Sequence, residues 1–204
     1  MTCKGVSGPA TRDLNSEAGL LSLSADRKGS VVTDHIRNPS NVVLTGFMGT
    51  GKSTVGRFLA IQLGYDWVDT DSVIESRHGP ITEIFATNGE EAFREMERSL
   101  ARELATEGGL VISTGGRMML DPSIVDLLGE NGRVFCLVAG VDEIVRRVAG
   151  PDDPDRPLLA GGHPADRIAD LLAEREEAYR RFEQVVTDGR TVEEVVADLV
   201  CRLE

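Results

Sequence analysis

Gly46, Gly51, Lys52 and Ser53 fall in the order G-x-x-x-x-G-K-S, and each residue type has a job in holding a polyphosphate. Glycines let the backbone turn tightly enough to aim successive N–H groups at phosphate oxygens, here from Gly49, Thr50, Gly51, Lys52, Ser53 and Thr54. The Lys52 ammonium places a point charge near the β- and γ-phosphates, and the Ser53 hydroxyl suits Mg²⁺. Val42-Val43-Leu44 before the loop reads as a buried strand. Val55, Phe58, Leu59 and Leu63 after it recur at helical spacing. That helix adds the positive end of its dipole. A glycine-rich turn between a strand and a helix is the plain alternative, but the lysine and the flanking elements favour a nucleotide phosphate site.

Asp69 and Asp71 form a second chemical group. They come after Trp67-Val68, read as the end of a short strand, and ligands of open α/β sheets bind beyond that end. Two aspartates spaced i, i+2 on an extended segment point the same way. One can hold Mg²⁺ through water while the other accepts a hydrogen bond from a substrate hydroxyl. Capping of the next helix by Asp71 is the competing role.

These groups need elements to position them, and 204 residues suffice for one domain with a sizeable core. A net charge of −12 argues against a nucleic-acid surface. No apolar run approaches the ~20 residues that span a membrane. Cys3, Cys136 and Cys201 are too few and too scattered for a disulfide framework or a zinc site. Such usage suits a reducing cytoplasm. Residues 1–38, rich in Ser, Gly, Thr and Asn without periodicity, read as a disordered extension, and 39–204 as the folded domain.

Pro80–Ala86 and Gly89–Leu104 read as two helices, Arg94 adjoining the apolar stripe of the second. Leu110–Gly116 is a strand running into the pair Gly115-Gly116. Asp121-Pro122 starts a helix ending near Gly129. Arg133–Ala139 is another strand, and Val141–Val148 a helix. Residues 150–163, rich in Pro, Gly and Asp, read as a lid over the site. A charged helix over 164–182 and a short strand at Gln184 come next. Thr191 and Glu194 box the last helix. Strands alternating with helices indicate an α/β fold of three layers, a parallel sheet flanked by helices.

Over roughly 41–203 the chain resembles the shikimate kinase family. The likeness rests on Gly46–Arg57, Asp69-Thr70-Asp71, Ile84–Arg94 with Glu97, Thr114-Gly115-Gly116, Arg156-Pro157-Leu158-Leu159, and Arg175 with Tyr179-Arg180. It implies a P-loop kinase fold of the nucleoside monophosphate kinase type with a lid. The implied activity moves the ATP γ-phosphate to the 3-hydroxyl of shikimate, a step toward chorismate and aromatic amino acids. Lys52, Asp71 and Arg156 would then be catalytic, Asp71 meeting the accepting hydroxyl and Arg156 closing over the phosphates. Arg94 and Arg175 would grip the substrate carboxylate beside the backbone of Gly115 and Gly116. Ser53 and Asp69 would serve Mg²⁺, and Arg147 and Arg190 would lie on the nucleotide side. A soluble monomer acting on a small acid, without nucleic acid or membrane, is the implied state.

Departures from the family pattern keep two other readings open. Arg117 stands where a third glycine is usual, Glu177 replaces a proline, and a proline near Arg190 is missing. The chain could phosphorylate another carboxylated polyol or cyclitol, or be an ATP-binding relative without catalysis. Arg117 points to solvent, adds a grip on a carboxylate, or narrows the pocket. With shikimate as substrate, its side chain is expected outside the ring pocket. Removal of residues 1–38 is expected to leave turnover and Tm nearly unchanged, because that segment offers no packed face. Calorimetry and kinetics on the truncated chain check this, and a large loss of either would show that the segment docks.

Overall fold

The computed structural model describes residues 40–148 and 164–204. The extension 1–38 and the lid 150–163, with Arg156, lie outside them. Strands β1 (Asn41–Gly46), β2 (Asp66–Asp69), β3 (Leu110–Ser113), β4 (Gly132–Val138) and β5 (Glu183–Val186) form one parallel sheet in the order β2-β3-β1-β4-β5. Strand order reverses around β1, so the phosphate loop issues from the point where such sheets bind ligands.

A parallel sheet must be covered on both faces, and strand alternation sorts the residues accordingly. Val43, Leu110 and Ile112 turn to one face, Val42, Leu44 and Val111 to the other. Helices α2 (Thr70–His78), α3 (Ile81–Ala105) and α4 (Pro122–Glu130) cover the first face through Ile74, Leu100, Leu104 and Ile124. Helices α1 (Lys52–Leu63) and α7 (Val192–Leu203) cover the second through Leu59, Val195 and Leu199. A third cluster lies under the phosphate loop. There Phe47 packs with Ile144 of α5 (Val141–Val148) and with Ile168 and Tyr179 of α6 (Pro164–Arg180).

The two helices expected on either side of Gly89 are both present: α3 (Ile81–Ala105) is two helices that abut at a kink where Gly89 takes a non-helical φ 82 and ψ 171. Glycine tolerates that angle without the Cβ clash other residues meet. Two aspartates divide the capping work. Asp69, not Asp71, caps α2 by accepting from the Ser72 amide at 3.3 Å, and Asp121 caps α4 through the Ser123 amide at 2.9 Å. Asp71 therefore does not extend the strand in phase with Asp69. It sits in the first turn of α2, where its side chain is released from capping. The buried Asn41 side chain ties β1 to the turn before β3, donating to the Glu107 carbonyl (2.9 Å) and accepting from the Leu110 amide (3.0 Å).

Helix α1 lies unusually close to β3, because Gly56 has no side chain. A Cβ there would sit 2.5 Å from Ser113 Oγ and 2.8 Å from Trp67 Nε1. Those atoms are fixed, Trp67 donating to Ser113 Oγ and Ser113 donating to the Lys52 carbonyl, both at 3.1 Å. Gly56→Ala gains about 0.5–1 kcal/mol of helix propensity, less than the ~1–3 kcal/mol of overpacking. A net loss of ~1–2 kcal/mol is expected in urea unfolding. An equal or raised stability would show that α1 can back away from the sheet.

Candidate active site

The site lies at the carboxyl ends of β1, β2 and β3. Gly51, at φ 96, turns the phosphate loop into α1 as its N-cap and brings no side chain to the first-turn amides, which leaves the helix end fit for an anion. Thr50 closes the loop by donating from its buried hydroxyl to the Phe47 carbonyl at 2.8 Å. Lys52 Nζ donates to the Gly46 and Phe47 carbonyls, each at 3.0 Å. Burial pushes the Lys52 ammonium below its ordinary pKa, against the opposing charges of Asp71 and Asp69. A phosphate would replace carbonyl dipoles with a full opposite charge. Ser53, at the loop's end, is exposed and donates to Asp69 Oδ2 at 2.6 Å, and Thr54 beside it is exposed too.

Asp71 rests on Gly115. A Cβ at that glycine would stand 2.5 Å from Asp71 Oδ1 and 3.3 Å from Glu97 Oε1, so a side chain there would push the two carboxylates back. Burial and then the charge of Asp69 push the Asp71 carboxyl up to about 6, against Lys52. The Gly115 amide donates to Thr70 Oγ1 at 2.9 Å, so this N–H is already engaged inside the protein. Tyr179 donates to the Gly116 carbonyl.

Both arginines implied in carboxylate binding are brought here. Arg94 donates from Nη1 to Glu97 Oε2 at 2.7 Å and from Nη2 to Glu90 Oε1 at 2.9 Å. Glu97 is only 1% exposed, and burial pushes its carboxyl up to about 6 while Arg94 holds it down. Arg175 is 6% exposed, with its guanidinium 5.1 Å from the Phe47 ring centre and Nη1 3.8 Å from where a Gly116 Cβ would be. A buried arginine stacked on an aromatic face has donors to offer a ligand. Arg117 takes an ordinary φ of −119, so no glycine is required, and it reaches Glu90 Oε1 at 3.1 Å.

The two nucleotide-side arginines differ. Arg147 donates to the Gly49 carbonyl (3.1 Å) and to Thr187 (3.0 and 2.9 Å), buttressing the loop. Arg190 folds onto α7, pairing with Asp198 at 2.8 Å and donating to the Glu194 carbonyl at 2.7 Å. Sequence reasoning gave no role to Glu97, Thr70 or Tyr179. Glu97 was legible as an acid inside the stripe Phe93, Leu100, Leu104, one turn beyond Arg94.

A phosphate loop, a desolvated lysine, a carboxylate held above its ordinary pKa and two inward arginines suit phosphoryl transfer to a small acid. The family model for shikimate kinase matches residues 48–204. The chain belongs to the shikimate kinase family. Shikimate kinase of Geobacter metallireducens is 44% identical over 179 residues, covering 85% of this chain and 99% of that one. Shikimate kinase of Moorella thermoacetica is 45% identical over 79% of this chain and 92% of its own. The solved shikimate kinase of Acinetobacter baumannii in complex with shikimate superposes with a TM-score of 0.74 at 32% identity, over 81% of this chain and 93% of that one. A gluconokinase of Sinorhizobium meliloti, at 20% identity and a TM-score of 0.56, shares the fold alone.

The raised pKa of Asp71 has a definite sign for stability. A carboxyl raised in the folded state stabilises below its unfolded value, near 3.8, and that contribution is lost as pH rises through about 6. Asp71→Asn, neutral throughout, is therefore expected to gain on the wild type at pH 7–8, by the order of 1 kcal/mol or about 2–4 °C in Tm. The gain should vanish near pH 4. The same variant should lose at least about 10²-fold in turnover. A lowered Tm at pH 8 would contradict the assigned burial.

Proposed function

We infer that this chain is a shikimate kinase that transfers the γ-phosphoryl group of ATP to the 3-hydroxyl of shikimate. The observation that carries the reading is the position of Asp71. Its carboxylate lies against Gly115, and the charges of Lys52 and Arg94 both act on it. In phosphoryl transfer the protein chiefly positions the reactants and stabilises charge. The arginines Arg94 and Arg175 fix the acid end of the substrate, which aims one hydroxyl at Asp71. Asp71 orients that hydroxyl and takes up its proton, for which a pKa near neutrality suits it. Lys52 leaves its two carbonyl partners for the phosphates, and the loop amides from Gly49 to Thr54 hold them.

Ser53 and Asp69 present a hydroxyl and a carboxylate oxygen side by side, hard donors of the kind Mg²⁺ takes. Bound there, the ion would neutralise charge on the phosphates. Arg156 belongs in this reading as the cation that closes over the transferring group, Arg147 as a nucleotide-side contact through the loop, and Arg190 as a more distant one. Among the described residues no helix is long and apolar enough to cross a membrane. A cytoplasmic monomer completes the reading.

ADP release measured with shikimate, quinate, gluconate and related acids tests the assignment, and turnover confined to another acid would overturn it. Lys52→Ala is expected to lower kcat by at least about 10²-fold. Arg94→Ala and Arg175→Ala should each raise the KM for shikimate, costing ~2–3 kcal/mol in kcat/KM, with little change for ATP. Equal effects on both substrates would move those arginines to the nucleotide side.

A further inference from the structure

Glu90 Oε1 accepts from two arginines at once. Arg94 reaches it through Nη2 at 2.9 Å and Nε at 3.3 Å, and Arg117 through Nη1 at 3.1 Å. The Nε/Nη2 edge of a guanidinium is the fork that grips a carboxylate with two parallel bonds. In Arg94 a carboxylate oxygen of the protein itself sits on that fork, while Nη1 is committed to the buried Glu97. Glu90 thus occupies the edge a substrate carboxylate needs. Glu90 and Arg117 are each about half exposed, at 51% and 53%, and so can swing, whereas Arg94 is 19% exposed and held by Glu97.

We propose that Glu90 is an internal stand-in for the substrate carboxylate and that Arg117 is the positioning residue that takes Glu90 away when substrate binds. The inference rests on the shikimate kinase reading above. Because one Glu90 oxygen already contacts both cations, the exchange needs only that Glu90 drop Arg94 and keep Arg117. Without Arg117, Glu90 retains a single strong partner, Arg94, and competes harder with the substrate. A ligand binds only as well as the binding-competent fraction allows. Arg117 follows Gly116, whose carbonyl accepts from Tyr179, and it shares Glu90 with Arg94, which places it at the rim of the same site. It is therefore not an idle surface residue. Of the three directions the sequence left open for Arg117, the contact with Glu90 is a grip on a carboxylate, though one of the protein itself.

The test is a double-mutant cycle on the KM for shikimate, at saturating ATP, with wild type, Arg117→Gln, Glu90→Gln and the double variant. Exposed pairs couple weakly, so Arg117→Gln should raise KM about two- to five-fold with kcat unchanged. Glu90→Gln should lower KM. In the Glu90→Gln background, Arg117→Gln should have no further effect, and Arg117→Lys in the native background should restore most of the loss. Equal factors for Arg117→Gln in both backgrounds would mean direct attraction between Arg117 and the substrate and would overturn the proposal. So would a raised KM in Glu90→Gln, or an unchanged KM in Arg117→Gln. A wild type that does not phosphorylate shikimate at all would overturn the functional reading, and this inference with it.

Discussion

In register, Leu44 of β1 stands opposite Ser113 of β3, and Ser113 opposite Asp69 of β2. Because the strands are parallel, β2 and β3 end level with Leu44 while β1 runs on to Gly46, and their outgoing loops leave the same edge of the sheet. Leu44 leads into the phosphate loop, Asp69 into Asp71, and Ser113 into Gly115. A slip of one residue in any of these strands would turn its side chains to the opposite face. Ser53 would then lose Asp69, and Asp71 would lose its seat on Gly115. The apolar alternation that buries Val43 and Ile112 on one face and Val42, Leu44 and Val111 on the other therefore also sets the catalytic geometry.

On that frame the site gathers charges that do not suit one another. Lys52 is desolvated and turned onto carbonyls. Asp71 and Glu97 are both pushed up to about 6, Asp71 adding to the rise at Glu97. Across the rest of the acidic surface each described arginine tends to find carboxylates nearby, as Arg98 does with Glu91, Glu95 and Asp121. Exposed pairs of that kind contribute little. The Arg94–Glu97 pair differs, because Glu97 is buried and removal of either partner strands a charge. Its value lies in fixing Arg94 at one end and leaving the opposite fork addressable.

Much of this was legible in the sequence because it rests on local rules. Strand, glycine, lysine and helix appear in chain order, and each junction at a strand's carboxyl end carries glycine or aspartate. Less legible were features decided by atoms far apart in sequence. The capping duty of Asp69 frees Asp71, and no spacing rule separates the two. Gly115 is needed because Asp71, 44 positions earlier in the numbering, packs on it. Arg117 was marked as a departure from three glycines with the direction of its side chain open, and the reason it fits is a plain φ of −119 and a carboxylate on the neighbouring helix. Arg190 lay in the right region of the chain, but its guanidinium is drawn to Asp198 two helical turns away.

Asp71 shows most clearly how stability and function divide here. A serine or asparagine in the first turn of α2 would be indifferent to burial, whereas the carboxylate is held in an environment that disfavours its charge. Two nearby cations, Lys52 and Arg94, partly offset this. The two cations that act on Asp71 are the ones proposed to meet the phosphates and the substrate carboxylate, so in that reading its hold on a proton answers to what the site binds.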